Sequence, residues 1–208
     1  MYIKKVEYHA PFEYDNYYHI YNRGNNKEKL FYKPENYVYF LENWKKYLSN
    51  YLDVYTFCLL PNHFHFLSKV KPEKPILLLN DKVFDINIFL EEQFRRFFIT
   101  YSQAINKAQN RSGSLFQKRF KRIKVKTDKY FYRLVHYIHH NPVHHKLCDT
   151  IEDWNYSSFK SILSNKPTVI RRKDLLNWFG GLKQFIEFHK KEIKVSEVYP
   201  FGIDEEDI

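Results

Sequence analysis

Glycine is scarce in this chain, with 5 in 208 residues. Neither GxGxxG nor the P-loop pattern occurs, which excludes the glycine-rich loops that cradle nucleotide phosphates. Cysteine is scarcer still: Cys58 and Cys148 are the only two. Neither lies in a CxxC, so a disulfide scaffold and a structural zinc knuckle are excluded, and a reducing cytoplasm is the expected location. No hydrophobic run is long enough to cross a bilayer. The opening segment MYIKKVEYHAPFEYDNYY lacks the apolar stretch of a secretory signal. Neither secretion nor membrane insertion is expected. Internal repeats and low-complexity tracts are missing too.

Aromatic residues and positive charge are abundant. Hydrophobic residues make up 44% and aromatics 19%, with 18 Tyr and 19 Phe. Such a chain can build a packed core. Lys and Arg number 34 against 24 Asp and Glu, for a net charge of +10. Cations that meet phosphates, together with rings that stack on unpaired bases, suit nucleic acid. A basic soluble protein without that role would show the same balance.

Local patterns give an element order. Residues 17–22 (YYHIYN) read as a strand broken by Arg23-Gly24-Asn25-Asn26. Pro34 opens a helix with Val38, Leu41, Trp44, Tyr47 and Leu48 at helical spacing. Residues 53–60 and 63–70 read as a hairpin turned at Pro61-Asn62. Residues 71–87 read as a loop or insertion, and 88–109 as a long helix. A fourth strand falls near the end of 115–125. Thr127 and Asp128 cap a helix ending near His140, before Asn141-Pro142. The basic stretch from Arg171 leads into a further helix, and the acidic tail DEEDI frays.

Two clusters carry chemistry. In His63-Phe64-His65, the strand's two-residue period projects both imidazoles from one face and turns Phe64 toward the other. Paired neutral imidazoles are half of a divalent-metal site, although two histidines on a wet sheet face would look the same. In YIHHNPVHH, Tyr137 and Asn141 stand one helical turn apart. Tyr137 also fits an apolar stripe with Tyr130, Leu134 and Ile138, so the residues alone leave it between nucleophile and core. His139 and His140 compete with Asn141 as a third metal ligand.

The strings LPNHFHFL, RLVHYIHHNPV and DWNYSSF together resemble the single-tyrosine HUH transposases. That family comprises transposases of small insertion sequences and the REP-associated tyrosine transposases. The NRG after the first strand and the segment GSLFQKRFKRIKV also resemble it, and YIxxNPV is nearer the REP-associated branch. The resemblance covers roughly residues 10–165. It implies an α+β fold: a ferredoxin-like or RRM-like antiparallel sheet with helices on one side, and a tyrosine helix covering the metal face. It further implies one catalytic domain over 1–165, with 166–208 as a C-terminal helical extension and acidic tail outside the pattern. In these terms His63, His65 and Asn141 hold Mg²⁺ or Mn²⁺, and Tyr137 is the nucleophile. The implied substrate is single-stranded DNA bearing hairpins, nicked and rejoined through a 5′-phosphotyrosine. Family members include dimers and monomers, so a homodimer stays open.

The dense basic run Lys118, Arg119, Lys121, Arg122, Lys124 and Lys126 abuts the tyrosine helix and is expected to track DNA phosphates. Arg171-Arg172-Lys173 is a second candidate. Two other functions share these residues. One is a non-catalytic binder of single-stranded nucleic acid. The other is a metal-dependent nuclease using activated water, with Tyr137 structural.

Overall fold

The structure, a computed structural model, describes residues 6–74 and 85–193. Most of the expected 71–87 insertion and the whole acidic tail lie outside the described residues. Four strands form one sheet: β1 (Tyr17–Arg23), β2 (Leu52–Leu60), β3 (His63–Val70) and β4 (Lys121–Lys124). Their order is β2-β3-β1-β4, with every pairing antiparallel. Helix α1 (Pro34–Leu48) links β1 to β2, and α2 (Ile86–Ala108) links β3 to β4. This is the split β-α-β arrangement expected of a ferredoxin-like core.

Alternation along the strands divides the sheet into two faces. On one, Tyr18, Ile20, Phe64 and Phe66 join Phe40 and Trp44 of α1 with Phe94 and Phe97 of α2 in an aromatic core. The indole of Trp44 stacks on Phe66 at 3.7 Å. The opposite face is covered by α3 (Asp128–His144), which lies over β2 and β3. Tyr21, Leu67 and Ile123 of the sheet pack there with Phe131, Leu134 and Ile138. The two crossover helices therefore share one side, and the tyrosine helix takes the other, as the resemblance implies.

Helix α3 runs four residues past its expected end, through Asn141 and Pro142 to His144. Its start is as read, with the Thr127 hydroxyl accepting from the Tyr130 N–H at 3.2 Å. Pro142 lies in the last turn, and its missing N–H forgoes one intrahelical bond, to the Ile138 carbonyl. Burial of Asn141 and Pro142 holds the turn in place.

Past α3, three helices follow: α4 (Phe159–Leu163), α5 (Arg172–Phe179) and α6 (Leu182–His189). The stretch from Arg171 does not merely lead into a helix, because most of it is α5. Gly180, at φ 79°, ends α5 in the left-handed region that glycine enters without strain. Leu175, Phe179 and Phe185 bury into the α3 core, and Trp178 stacks on Phe131 at 4.3 Å. No helix among the described residues is long and apolar enough to cross a membrane.

Candidate metal and nucleophile site

The β2–β3 hairpin places the two histidines. Pro61 and Asn62 form its turn, and the Pro61 carbonyl accepts from the N–H groups of Leu30 and Phe31 at 2.7 and 3.0 Å. The Gly24 N–H donates to the Asn62 carbonyl at 2.7 Å. Any Cβ at Gly24 would overlap the Glu28 carbonyl oxygen, so the glycine of NRG is a steric requirement. The end of β1 and the start of β3 are thereby fixed together, with Arg23 opposite His63 and Tyr21 opposite His65.

His63 and His65 project toward α3, as alternation predicts, and are 5% and 1% exposed. His63 Nδ1 meets Asn62 Oδ1 at 2.7 Å, and Asn62 Nδ2 donates to the Lys27 carbonyl at 3.4 Å. Both ring nitrogens of His63 face amide oxygens, and the neutral ring has one proton to give; with it on Nδ1, toward the shorter contact at Asn62, Nε2 keeps a lone pair. That Nε2 faces Asn141 Oδ1 at 3.1 Å. His65 Nδ1 pairs with His19 Nε2 at 2.9 Å, while His65 Nε2 and Asn141 Nδ2 make no hydrogen bond among the described residues. The Tyr137 ring stands edge-on to His65, 5.5 Å between centroids. One surface thus brings together His63, His65, Tyr137 and Asn141.

Burial sets their protonation. Desolvation, reinforced by His145, pushes His63 down to about 3. His65 is lowered well below its ordinary value by desolvation and then by His19. Both rings are neutral near pH 7, the form that ligates metal. With the His63 proton on Nδ1, His63 Nε2 and Asn141 Oδ1 present lone pairs 3.1 Å apart, a spacing that two ligands of one divalent cation could share. The partner on the far nitrogen of each ring, Asn62 or His19, is the kind of second contact that orients metal-ligating histidines. Among the described residues no group of three or more His, Cys, Asp or Glu is placed to hold a metal. A third protein donor here is an amide, and the residues fit a divalent cation on that basis.

The rival third ligands are occupied elsewhere. His139 Nε2 meets Thr56 Oγ1 and Ser158 Oγ at 2.6 and 2.9 Å, and its Nδ1 meets His189 Nε2 at 2.8 Å. His140 Nδ1 donates to the His136 carbonyl at 3.0 Å. Neither faces His63.

The basic run divides. Lys121 projects beside the histidines, with its ammonium 5.5 Å from the Tyr21 ring centroid. Arg122 points to the other side of the sheet and is withdrawn from the DNA-contacting set. It is 6% exposed, donates to the Ala10 carbonyl at 2.7 Å, and pairs with Glu91. Strand alternation turns it inward, where the rings of Phe12 and Phe120 flank it. Lys124 is tied to Glu13 at 2.7 Å. Lys118, Arg119 and Lys126 are exposed. In the second candidate cluster, Arg171 pairs with Asp174 at 2.7 Å and Arg172 donates to the Ser161 and Lys166 carbonyls.

Sequence reasoning missed His19, Tyr21, Arg23 and Gln117. A small recess beside the histidines is lined by Tyr21, Asn22, Arg23, His63, His65, Gln117 and Lys121. The period-two rule that paired His63 with His65 also puts residues 19, 21 and 23 on one face, so three of these four were within its reach.

No family model matches the chain. A Haemophilus influenzae chain assigned to the REP-associated tyrosine transposases is 34% identical over 105 residues, 49% of this chain and 56% of that one. The match thus spans little more than half of that relative. The solved structure of a REP-associated tyrosine transposase bound to a REP hairpin superposes with a TM-score of 0.58 at 17% identity, covering 76% of this chain and 86% of the other. At that identity the likeness is one of fold.

Proposed function

We propose that this chain is a single-tyrosine transposase of the REP-associated kind, nicking and rejoining single-stranded DNA at hairpin-bearing sites. One observation carries the reading: a tyrosine, two neutral histidines and an amide converge from β3 and α3 onto one surface. In this reading His63, His65 and Asn141 hold Mg²⁺ or Mn²⁺. When bound, the cation supplies Lewis-acid polarisation of the phosphate.

The chain's own groups do the rest. Arg23 and Lys121 border the recess and offset the negative charge of an entering phosphate. The Tyr137 oxygen attacks phosphorus, the bond from phosphorus to the 3′ oxygen breaks, and the phenolic proton is lost while the 3′ oxygen gains one. The product is a 5′-phosphotyrosine with a 3′-OH, and reversal with a different 3′-OH reseals the strand without ATP.

The test is a denaturing gel of protein incubated with labelled hairpin-bearing single strands, with Mg²⁺ or Mn²⁺ or with EDTA. A metal-dependent covalent adduct lost in Tyr137→Phe and His63→Ala is expected. Cleavage that survives Tyr137→Phe without an adduct means hydrolysis by water instead. Binding with neither product means a non-catalytic binder.

A further inference from the structure

A groove of about 640 Å³ lies between α2 and segment 113–120. Its floor is aromatic: Phe98 lies 4.7 Å from Phe116 and 5.5 Å from Phe120, centroid to centroid. Phe98 and Phe120 are half-buried, leaving ring surface toward the groove. Ile99, 41% exposed, and Gln103 stand on the helix wall. Lys118 and Arg119 stand on the opposite wall.

That wall is tied to fixed elements. The Gln117 N–H donates to the Arg23 carbonyl at 3.0 Å, and the Asn25 N–H to the Leu115 carbonyl at 2.9 Å. Asn106 Nδ2 donates to the Gly113 carbonyl at 2.9 Å. The acidic groups nearby are engaged, Glu91 with Arg122 and Glu92 with Arg95. At one end the groove reaches Asn22 and Gln117, which also line the recess beside His63 and His65. Groove and recess therefore adjoin across Asn22 and Gln117.

We infer that this groove seats an unpaired nucleobase of the DNA strand whose phosphate enters the histidine recess. The inference rests on the DNA-nicking reading above and adds a base-binding subsite to it. An aromatic floor offers a face on which any base stacks. The carboxamides of Gln103 and Gln117 carry donors and acceptors that suit base edges, and Lys118 and Arg119 suit the flanking phosphates. The volume lies within the range of pockets for small organic groups, about 300–1,000 Å³.

The experiment uses full-length Tyr137→Phe protein and hairpin-bearing single strands carrying 4-thiothymidine, irradiated and mapped by mass spectrometry. Crosslinks are expected in peptides spanning 98–103 and 114–120. In fluorescence anisotropy, Ile99→Glu combined with Gln103→Ala, which puts a carboxylate beside the entering strand and removes an edge contact, weakens binding roughly tenfold, the scale of one base displaced from its stacking face. Val38→Glu, on an exposed site of α1 (56% exposed), makes the same charge change away from the groove and leaves binding near wild type. Crosslinks elsewhere or none, with the groove variant binding like Val38→Glu, overturn the assignment. The wild-type phosphotyrosine adduct, measured in parallel, reports the reaction independently, so either idea can fail alone.

Discussion

Arg122 sits in the middle of the basic run, yet its guanidinium is spent inside the protein on Ala10 and Glu91. Lys118 and Lys126 flank it in sequence and remain exposed. The salt dependence of DNA binding separates the two kinds of cation. Each phosphate-contacting lysine contributes about 0.7 to the slope of log affinity against log salt on single strands. Lys118→Ala and Lys126→Ala should each lower the slope by about that amount. Arg122→Met should leave the slope alone and instead cost about 2 kcal/mol in urea unfolding, the scale of a charge-assisted hydrogen bond. A slope change at Arg122 matching that of Lys126 would put it back on DNA. At this scale the shared facing of His63 with His65, and of Tyr137 with Asn141, was legible because spacing along a strand or helix fixes direction, while the roles of these residues came from the resemblance alone. Which face of β4 meets solvent was not, since that depends on Glu91, far away in sequence.

Along α3, histidines outnumber what the site uses, and most of the surplus cements the helix to its neighbours. His189 Nδ1 donates to the Phe185 carbonyl at 2.8 Å, so its Nε2 accepts from His139 Nδ1. His139 Nε2 in turn accepts from the Thr56 hydroxyl at 2.6 Å, with Ser158 Oγ at 2.9 Å beside it. A bulge between Val54 and Thr56 in β2 shifts the register beside Thr56. A charged His189 would set an N–H against the N–H of His139 and break this chain. Desolvation accordingly pushes His136 and His189 down to about 3 and His139 well below its ordinary value. A folded-state value below the unfolded one means stability that is full above about pH 6.5 and lost as pH falls toward 3. Each such histidine should cost about 2 kcal/mol by pH 5. The melting temperature should therefore fall steeply between pH 7 and 5, and His136→Gln should flatten that fall. A melting temperature indifferent to pH over that range would refute neutral burial. Helix existence was readable from caps and periodicity. The run of α3 through Pro142 was not, because local rules stop at Asn-Pro while the burial of Asn141 overrides them.

At the largest scale, the described residues form one sheet with a core on each face, and the second core is completed by helices that fall outside the motif-bearing region. Leu175, Phe179 and Phe185 bury against the tyrosine helix, the Tyr132 hydroxyl donates to the Trp178 carbonyl at 2.7 Å, and the Arg171 N–H donates to the Val54 carbonyl at 2.8 Å. A chain ended after residue 165 should thus lose cooperative unfolding and expose apolar surface that binds ANS, rather than behave as an autonomous catalytic domain. A sharp two-state melt from that fragment would show the extension to be dispensable. The sequence offered one further helix after the basic stretch from Arg171, where the structure has both α5 and α6, and where they dock depends on contacts with residues such as Val54, Phe131 and Tyr132, which no periodicity encodes.

The chain has three tryptophans, and their placement has an optical consequence. Trp44 lies flat on Phe66 beneath one face of the sheet, while Trp178 lies on Phe131 above the other. Trp154 stands apart, its indole donating to the Leu59 carbonyl at 3.0 Å. Two single-tryptophan variants, one keeping Trp44 and one keeping Trp178, would turn the halves of the molecule into separate fluorophores. Their emission would show directly whether the tyrosine-bearing half loosens on meeting DNA while the crossover-helix half stays still.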